Sequence, residues 1–417
     1  MTETVEAAFR IESPRIIAAV TRIVRDVGIA EELAQDALVA ALEQWPESGV
    51  PDRPGAWLTA AAKHRAIDLV RRKETYARKL AEVGRALEDA SRAPGGEGSW
   101  PGQADYGSED VIDDDLLRLI FTACHPVLPT HARIALTLRL LGGLTTPEIA
   151  RAFLTSEQTV AQRIVRAKRS LAKAQVAFEV PTGPDREARL SSVLEVIYLI
   201  FNEGYSATSG DDWVRPALCE EALRLVRVLQ GLMPDEAEVH GLAALLEFQA
   251  SRIAARTGPG GEPVLLADQN RARWNRMLMR RGVRALYGAG RGPYSLQAAI
   301  AACHAQAIRY EDTDWRTIAL LYGRLAALTP SPVIELNRAV AVSMAQGPAA
   351  GLEIVDVLTD EPALKDYHLL PSVRGDLLER LGRTDEARAE FERAASLTRN
   401  TRERELLLAR AARTASA

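Results

Sequence analysis

Residues 144–173 read LTTPEIARAFLTSEQTVAQRIVRAKRSLAK, and their spacing decides how the rest of the chain is read. Thr146, Pro147 and Glu148 open a short helix: a hydroxyl N-cap, a proline whose missing N–H costs nothing at the first helical position, and an acid favoured by the helix dipole. That helix runs through Ala152 and Phe153, Leu154 and Thr155 make a turn, and Ser156 caps a second helix from Glu157 onward. In the second helix Val160, Ile164, Ala167 and Leu171 recur at i, i+4, i+7 and i+11 on one face, and Gln158, Gln162, Arg166 and Arg169 fall on the other. The pattern predicts a helix-turn-helix whose second helix is apolar inward and rich in amides and guanidiniums outward.

Such a face suits duplex DNA. Gln pairs bidentately with adenine and Arg with guanine in the major groove, while Lys168 and Lys173, as point charges, suit phosphates. From Arg163 to Lys173 there are five bases and no acid. The plainer alternative is a solvated basic face on an antiparallel helix pair.

The 417 residues suffice for two to four domains, and 47% hydrophobic content with only 5% aromatics points to an all-α protein. A net charge of −4 gives no global case for nucleic acid, so any basic surface must be local. The N-terminus, MTETVEAAFRIESPR, carries acids from its third residue and no apolar core, and no run is long enough to span a bilayer. A cytoplasmic protein without membrane contact is expected. Cys124, Cys219 and Cys303 stand far apart, as buried thiols in a reducing compartment would. Cys124-His125 and Cys303-His304 suggest a metal, but neighbours on a helix point about 100° apart and no second pair sits at ligand spacing. Neither a metal nor a cofactor is expected.

Residues 1–75 read as a compact helical domain. Its first helix runs from near Pro14 to Val27, with Gly28 as the stop. In the second, EELAQDALVAALEQW, Leu33, Ala37, Ala41 and Trp45 turn inward and Gln35, Asp36, Val39 and Glu43 outward. After the loop PESGVPDRPG, a third helix from Ala56 buries Leu58, Ala62, Ala66 and Leu69 and exposes a stripe of His64, Asp68 and Arg71. Lys63, Arg65, Arg71, Arg72 and Lys73 face Asp68 alone, which makes a second basic surface. Residues 76–112 are Gly-, Pro- and Ser-rich; from Glu82 to Asp115 ten acids stand against Arg85 and Arg92, as in a solvated tether. From Asp113 the chain turns helical again, and Leu117, Ile120, Phe121, Ile134, Ala135, Leu138 and Leu141 support the helix-turn-helix in a domain of residues 113–180.

Residues 185–417 are helix after helix. LERLGRTDEARAEFERAASL resembles a tetratricopeptide repeat, with Leu381-Gly382, Ala387, Phe391 and Ala394 in place, and Gly347 precedes Gly382 by 35 residues, close to that repeat's period. Such helix pairs stack into a concave surface for a peptide or partner protein. Asn202, Glu203, Tyr205, Asp268, Gln269, Arg273 and Trp274 lie in polar breaks and read as caps and inter-helix hydrogen-bonding groups. An enzyme would need Glu203 and Asp268 as a carboxylate pair, and nothing in the sequence joins them.

Two basic helical modules on an acidic tether resemble the bacterial RNA polymerase sigma factors of the extracytoplasmic-function class. The resemblance is carried by FRIESPRIIAAVTRIVRD (from Phe9), AEELAQDALVAALEQW (from Ala30), PGAWLTAAAKHRAIDLVRRK (from Pro54), DDLLRLIFTACHP (from Asp114) and LGGLTTPEIARAFLTSEQTVAQRIVRAKRSL (from Leu141). IYLIFNEGY (from Ile197), LCEEALRLVRVLQGLMPDEAEVHGLAAL, GPYSLQAAIAACHA and PSPVIELNRAVAV are similar to the subgroup with a large helical, tetratricopeptide-like C-terminal extension. The resemblance implies a non-enzymatic sigma factor that binds core RNA polymerase and promoter DNA. By it, Glu32, Gln35, Asp36 and Glu43 meet the polymerase, and Lys63, His64, Arg65, Asp68, Arg71 and Arg72 lie over the −10 element. Glu157, Gln158, Thr159, Gln162, Arg163 and Arg166 enter the major groove at −35, with Lys168 and Arg169 beside them. Lys63-His64 stands where the family has Arg-Asn, which changes a base contact at −10. The tether would thread toward the RNA exit path, its carboxylates mimicking RNA. The extension would regulate in cis or through an unidentified protein or peptide. The alternatives are a stand-alone helix-turn-helix repressor with a helical-repeat sensor, and a helical enzyme with an accessory DNA-binding module.

Overall fold

The computed structural model of the chain describes residues 2–88, 109–153, 155–206 and 213–414. Among them are eighteen α-helices and no strand. An all-α fold follows from the abundance of strong helix formers and the 3.6-residue spacing of the apolar positions. The chain divides into two compact units, one of residues 1–151 with 155–196, the other of 152–154 with 197–417.

The first unit opens with α1 (Thr2–Val24), α2 (Val27–Ser48) and α3 (Pro54–Glu88). The stop between α1 and α2 is not at Gly28, which lies inside α2. It is made by Arg25, held at a left-handed φ of 56°, and by Asp26, whose carboxylate caps α2 by accepting from the Ile29 amide at 3.0 Å. An acid one residue after a strained position does the work a glycine was expected to do. The core is small-residue packing around Ile16, Val20, Ala37, Leu58 and Ala62, closed by Trp45, whose ring meets Trp57 edge-on at 5.4 Å. Helix α3 continues to Glu88, so the first thirteen residues of the expected tether are helical; residues 89–108 lie outside the described residues.

Next come α4 (Glu109–Ala123), α5 (Thr130–Leu140), α6 (Thr146–Ala152), α7 (Glu157–Lys173) and α8 (Pro184–Tyr205). Helix α4 starts before Asp113, so the three aspartates are not at its first turn and Asp115 is buried. The cap of α6 sits one residue earlier than expected: the Thr145 amide and hydroxyl both reach Glu148, at 2.8 and 2.9 Å, while the Glu148 amide donates back to the hydroxyl at 3.3 Å. This reciprocal pair is a capping box. Ser156 caps α7 as read, accepting from the Thr159 amide at 3.1 Å. The start of α8 also belongs to this unit. Arg133 of α5 reaches Ser192 and, at 3.0 Å, Glu195, and Ser192 donates to the Cys124 carbonyl at 2.6 Å. The unit therefore ends near Val196 rather than at 180.

The second unit continues with α9 (Pro216–Leu232), α10 (Ala237–Ser251), α11 (Arg276–Gly288), α12 (Pro293–Gln306), α13 (Trp315–Leu328) and α14 (Pro332–Gln346). It closes with α15 (Pro348–Leu358), α16 (Leu369–Arg380), α17 (Thr384–Leu397) and α18 (Thr401–Thr414). Helix α10 is apolar nearly all round and buried between α9, α11 and α12. At Gly241 a Cβ would meet the Ser295 amide nitrogen at 2.6 Å, so only glycine lets α12 come this close. Gly347 and Gly382 both take a left-handed φ, 106° and 76°, between paired helices, which fits their expected repeat positions. Ala387, Phe391 and Ala394 are fully buried there with Leu352, Val355, Leu377 and Leu378. No described helix is long and apolar enough to cross a membrane.

The α7 anchors and cap set a stability expectation. Ile164→Ala should cost about 2–5 kcal/mol through the cavity it leaves, and Ser156→Ala about 1 kcal/mol through loss of the cap. Denaturant midpoints followed by far-UV circular dichroism measure both.

Candidate nucleic-acid interface

Four side chains hold α7 in place. Val160, Ile164, Ala167 and Leu171 are buried, and with the anchors spaced this way the opposite face must point out. Glu157, Gln158, Gln162, Arg166 and Arg169 are exposed, and Thr159 and Arg163 are half-buried. Thr159 also shares a hydrogen bond of 2.7 Å with the Ser156 hydroxyl, so its side chain is partly committed to the cap. Lys168 departs from the expected phosphate contact. It is turned toward α2 instead.

On α3, His64, Asp68, Arg71 and Arg72 are exposed, while Lys63 and Arg65 are half-buried. Arg65 reaches the Ala61 carbonyl at 3.4 Å. Burial and the nearby Arg22 guanidinium push the Lys63 ammonium below its ordinary pKa, with Asp115 pulling the other way. On α2, Glu32, Asp36 and Glu43 are exposed and Gln35 is half-buried beside the exposed Val39. The outward stripe of α2 is thus acidic and the outer faces of α3 and α7 are basic.

What joins these helices was not anticipated. Glu31 lies on the buried side of α2 with Ala30 and Ala34, and its carboxylate takes Arg139 Nε of α5 at 2.6 Å and Lys168 Nζ of α7 at 2.5 Å. Arg139 also donates to the Leu144 carbonyl at 3.3 Å, which ties the pair to the start of the helix-turn-helix. Burial by itself would raise the Glu31 pKa, but Lys168 and Arg139 outweigh it and hold the carboxyl below its usual range. A second link lies alongside: Arg22 of α1 reaches the buried Asp115 of α4 at 3.2 Å, and Arg118 reaches it at 2.9 Å. Here burial wins over the two guanidiniums, and the Asp115 pKa is raised. A signal for Glu31 did exist, since an acid at an apolar position of an amphipathic helix demands a partner.

Other candidates resolve without chemistry. Glu203 pairs with Arg215, and Asp268 is exposed on a 3-10 turn, so no catalytic carboxylate pair is evident in their surroundings. Cys124 is buried against the Thr137 hydroxyl at 3.3 Å, and burial pushes its thiol up to about 11. Among the described residues no group of three acids, histidines or cysteines could hold a metal ion.

The geometry is that of two small helical modules, each with a basic outer helix, and comparison with known proteins gives them a family. Residues 8–75 match Sigma-70 region 2, residues 118–171 match Sigma-70, region 4, and residues 189–290 match a family of unknown function (DUF6596). An uncharacterized protein of Rhizobium meliloti (strain 1021) is 44% identical over 97% of this chain and 94% of its own length. The ECF RNA polymerase sigma factor SigK of Mycobacterium ulcerans is 28% identical over 38% of this chain and 78% of its own, and that of Mycobacterium tuberculosis 29% over the same shares. No solved structure matches significantly. The chain belongs to the extracytoplasmic-function class of RNA polymerase sigma factors and carries an additional C-terminal region. It is a sigma factor for transcription initiation, from a family of non-enzymatic regulators that bind core polymerase and promoter DNA.

Replacing the Glu31 carboxylate should loosen the unit. Glu31→Gln strands Arg139 and Lys168, at a cost of about 1–3 kcal/mol once their partial exposure is allowed for. Spin labels at the exposed Gln44 and Ser170 should report a longer or broader distance distribution in the variant. Acid should act likewise. Because the folded Glu31 pKa is depressed, its contribution is present above 4.5 and is lost as pH falls through the folded value. The raised Asp115 pKa has the opposite sign, its burial cost being relieved as pH falls. Loosening below pH 4.5 should therefore be seen in the parent and be much reduced in Glu31→Gln.

Proposed function

We propose that α7 reads the −35 element with Glu157, Gln158, Thr159, Gln162, Arg163, Arg166 and Arg169, and that Lys63, His64, Arg65, Asp68, Arg71 and Arg72 of α3 lie over the −10 element. Glu32, Gln35, Asp36 and Glu43 then form the surface that meets core polymerase. The observation that carries this reading is the amide- and guanidinium-rich face of α7, exposed because four buried anchors on the opposite side leave it nowhere else to point. The domain limits in this reading are 1–75, a tether beginning within α3, a second module running to about Val196, and the C-terminal region beyond it.

The Glu31 link adds a step. Elements named for positions 25 base pairs apart lie about 85 Å apart along B-form DNA, at 3.4 Å per pair. Helices α2 and α7 are held together by an ion pair of 2.5 Å. The two modules must separate before both elements are touched at once, and Lys168 then becomes free for a phosphate. The twenty residues 89–108 allow it, since a fully extended segment of that length reaches about 70 Å before the modules' own width is added. The C-terminal region regulates this opening in cis or through a partner protein or peptide.

Run-off transcription with purified core polymerase tests the assignment. The Arg163→Ala, Arg166→Ala double variant should lose at least about 10-fold in promoter-specific transcript, since each base pair of contacts is worth about 1–3 kcal/mol. Asp36→Lys should lose transcript through polymerase binding while leaving the DNA face intact. A stand-alone repressor would instead bind DNA tightly without polymerase and tolerate Asp36→Lys. Truncation after Val196, rather than at 180, keeps the α8 residues that brace α5. Higher activity from that variant marks the C-terminal region as inhibitory, lost activity marks it as a required helper, and no change removes it from regulation.

A further inference from the structure

Three arginines of the C-terminal unit come together, two of them one turn apart and the third fifteen residues further along the chain. Arg252 follows α10, Arg256 lies one turn further on, and Arg271 sits in the 3-10 turn before Trp274. The guanidiniums of Arg252 and Arg271 lie over the same Trp274 ring, 5.3 and 4.7 Å from its centroid. That of Arg256 lies 3.7 Å from the Tyr205 ring centroid and 5.4 Å from that of Trp213. Burial first, and then Arg256 and Arg271 as like charges, push Arg252 below its ordinary pKa. Arg256 is buried and Arg252 and Arg271 are half-buried, stacked on neighbouring rings.

Among the described residues no carboxylate pairs with them. Arg252 reaches only the amide oxygens of Gln269 and Gln249, at 3.4 and 3.3 Å. Arg256 donates to the Tyr205 carbonyl at 3.0 Å, and its Nε is buried without a partner. Arg271 clasps the carbonyls of His304 and Ala307 at the end of α12, with Glu311 and Asp312 only near enough to offset part of its burial. Among the described residues none of the three forms an ion pair with a carboxylate. Three more buried polar atoms around them have no partner: the Tyr205 hydroxyl, Trp274 Nε1 and His304 Nδ1. His304 is pushed down to about 3 by burial and by Arg252 and Arg271, so it is neutral. Aromatic faces compensate a guanidinium only in part, and clustered like charges out of water are costly unless something negative joins them.

We propose that this cluster binds a small oxyanionic ligand, carboxylate or phosphate, grasped by Arg252, Arg256 and Arg271 beside the rings of Trp274 and Tyr205. The guanidinium fork matches the paired oxygens of either group, which a single ammonium would not. The unpartnered phenol, indole and imidazole supply neutral hydrogen bonds, and the rings give an unsaturated ligand a surface to stack on. Most of these residues fall within 189–290, the stretch shared with the family of unknown function, so the site makes that region a sensor of metabolite-sized anions.

The test uses the full-length chain with inorganic phosphate and with acetate at fixed ionic strength, sodium chloride being the control. Saturable heat in titration calorimetry and a rise of a few °C in the melting temperature are expected for at least one oxyanion and not for chloride. Saturation at lower phosphate than acetate assigns a phosphoryl ligand, and the reverse a carboxylate. Arg252→Gln should weaken binding at least about 10-fold, and Arg252→Lys, which keeps the charge but not the fork, should weaken it too. In oxyanion-free buffer Arg252→Gln should melt no lower than the parent, because it removes repulsion. A parent indifferent to both oxyanions, or variants that bind as the parent does, overturns the proposal. So does an Arg252→Gln chain that melts well below the parent without any anion, which would make the cluster a scaffold.

Discussion

A carboxylate buried between two cations joins α2 to α5 and α7 in the DNA-binding half. Glu31 holds Arg139 and Lys168 at once, and through them α2 is fastened to both α5 and α7 of the other module. Such a triad is poor glue by comparison with apolar packing, because desolvating the ions consumes most of what their attraction returns. Its merit is different. Opened apolar packing, such as that of α1 on α4, leaves hydrocarbon facing water, whereas opened ions are hydrated and soluble, so this charged part of the seam is tolerable in both states. Salt screens exposed ions, and in the proposed reading DNA phosphates would compete for Lys168, so ionic strength bears directly on the fastening.

The parts of this protein that could be read from the sequence are those set by local periodicity. Val160, Ile164, Ala167 and Leu171 announced the buried face of α7 because four residues at helical spacing admit one orientation, and Ser156 marked the start because few side chains can cap. Errors occurred where a common local solution was displaced by a rarer one. Gly28 was the obvious stop, yet Arg25 adopts the left-handed turn and Asp26 caps the next helix. Helix α3 overran into a segment judged by its Gly and Pro content, although its residues up to Glu88 carry neither proline nor a run of glycines. That the start of α8 packs with the first compact unit was not legible, because the bonds that show it, from Arg133 to Ser192 and Glu195, span 59 and 62 positions.

The partners of Glu31 and the grouping of the arginine cluster were invisible for one shared reason. Periodicity shows which side of a helix is buried but not what buries it, and Glu31 meets residues 108 and 137 positions away. Tyr205, Gln269 and Trp274 drew attention as polar breaks, and the structure does gather them, but around Arg252, Arg256 and Arg271, of which only proximity in space could make a group. A residue of the wrong polarity for its face is the nearest thing to a sequence signal in either case.

The net charge of −4 looks at odds with promoter binding until the acids are placed. Glu31 and Asp115 are turned inward, where each occupies two cations of the same half. Glu32, Asp36 and Glu43 are exposed on α2. An acid buried against Lys168 neutralises one positive charge; under the proposed opening that charge is returned, and the cationic field offered to phosphate grows as the modules part. Attraction to DNA falls off within about 10 Å at ordinary salt, which makes such a local change count for more than the total. In the proposed opening the same residue would lower the affinity of the closed form for DNA and hold that form shut, two effects that a neutral contact at this position could not combine.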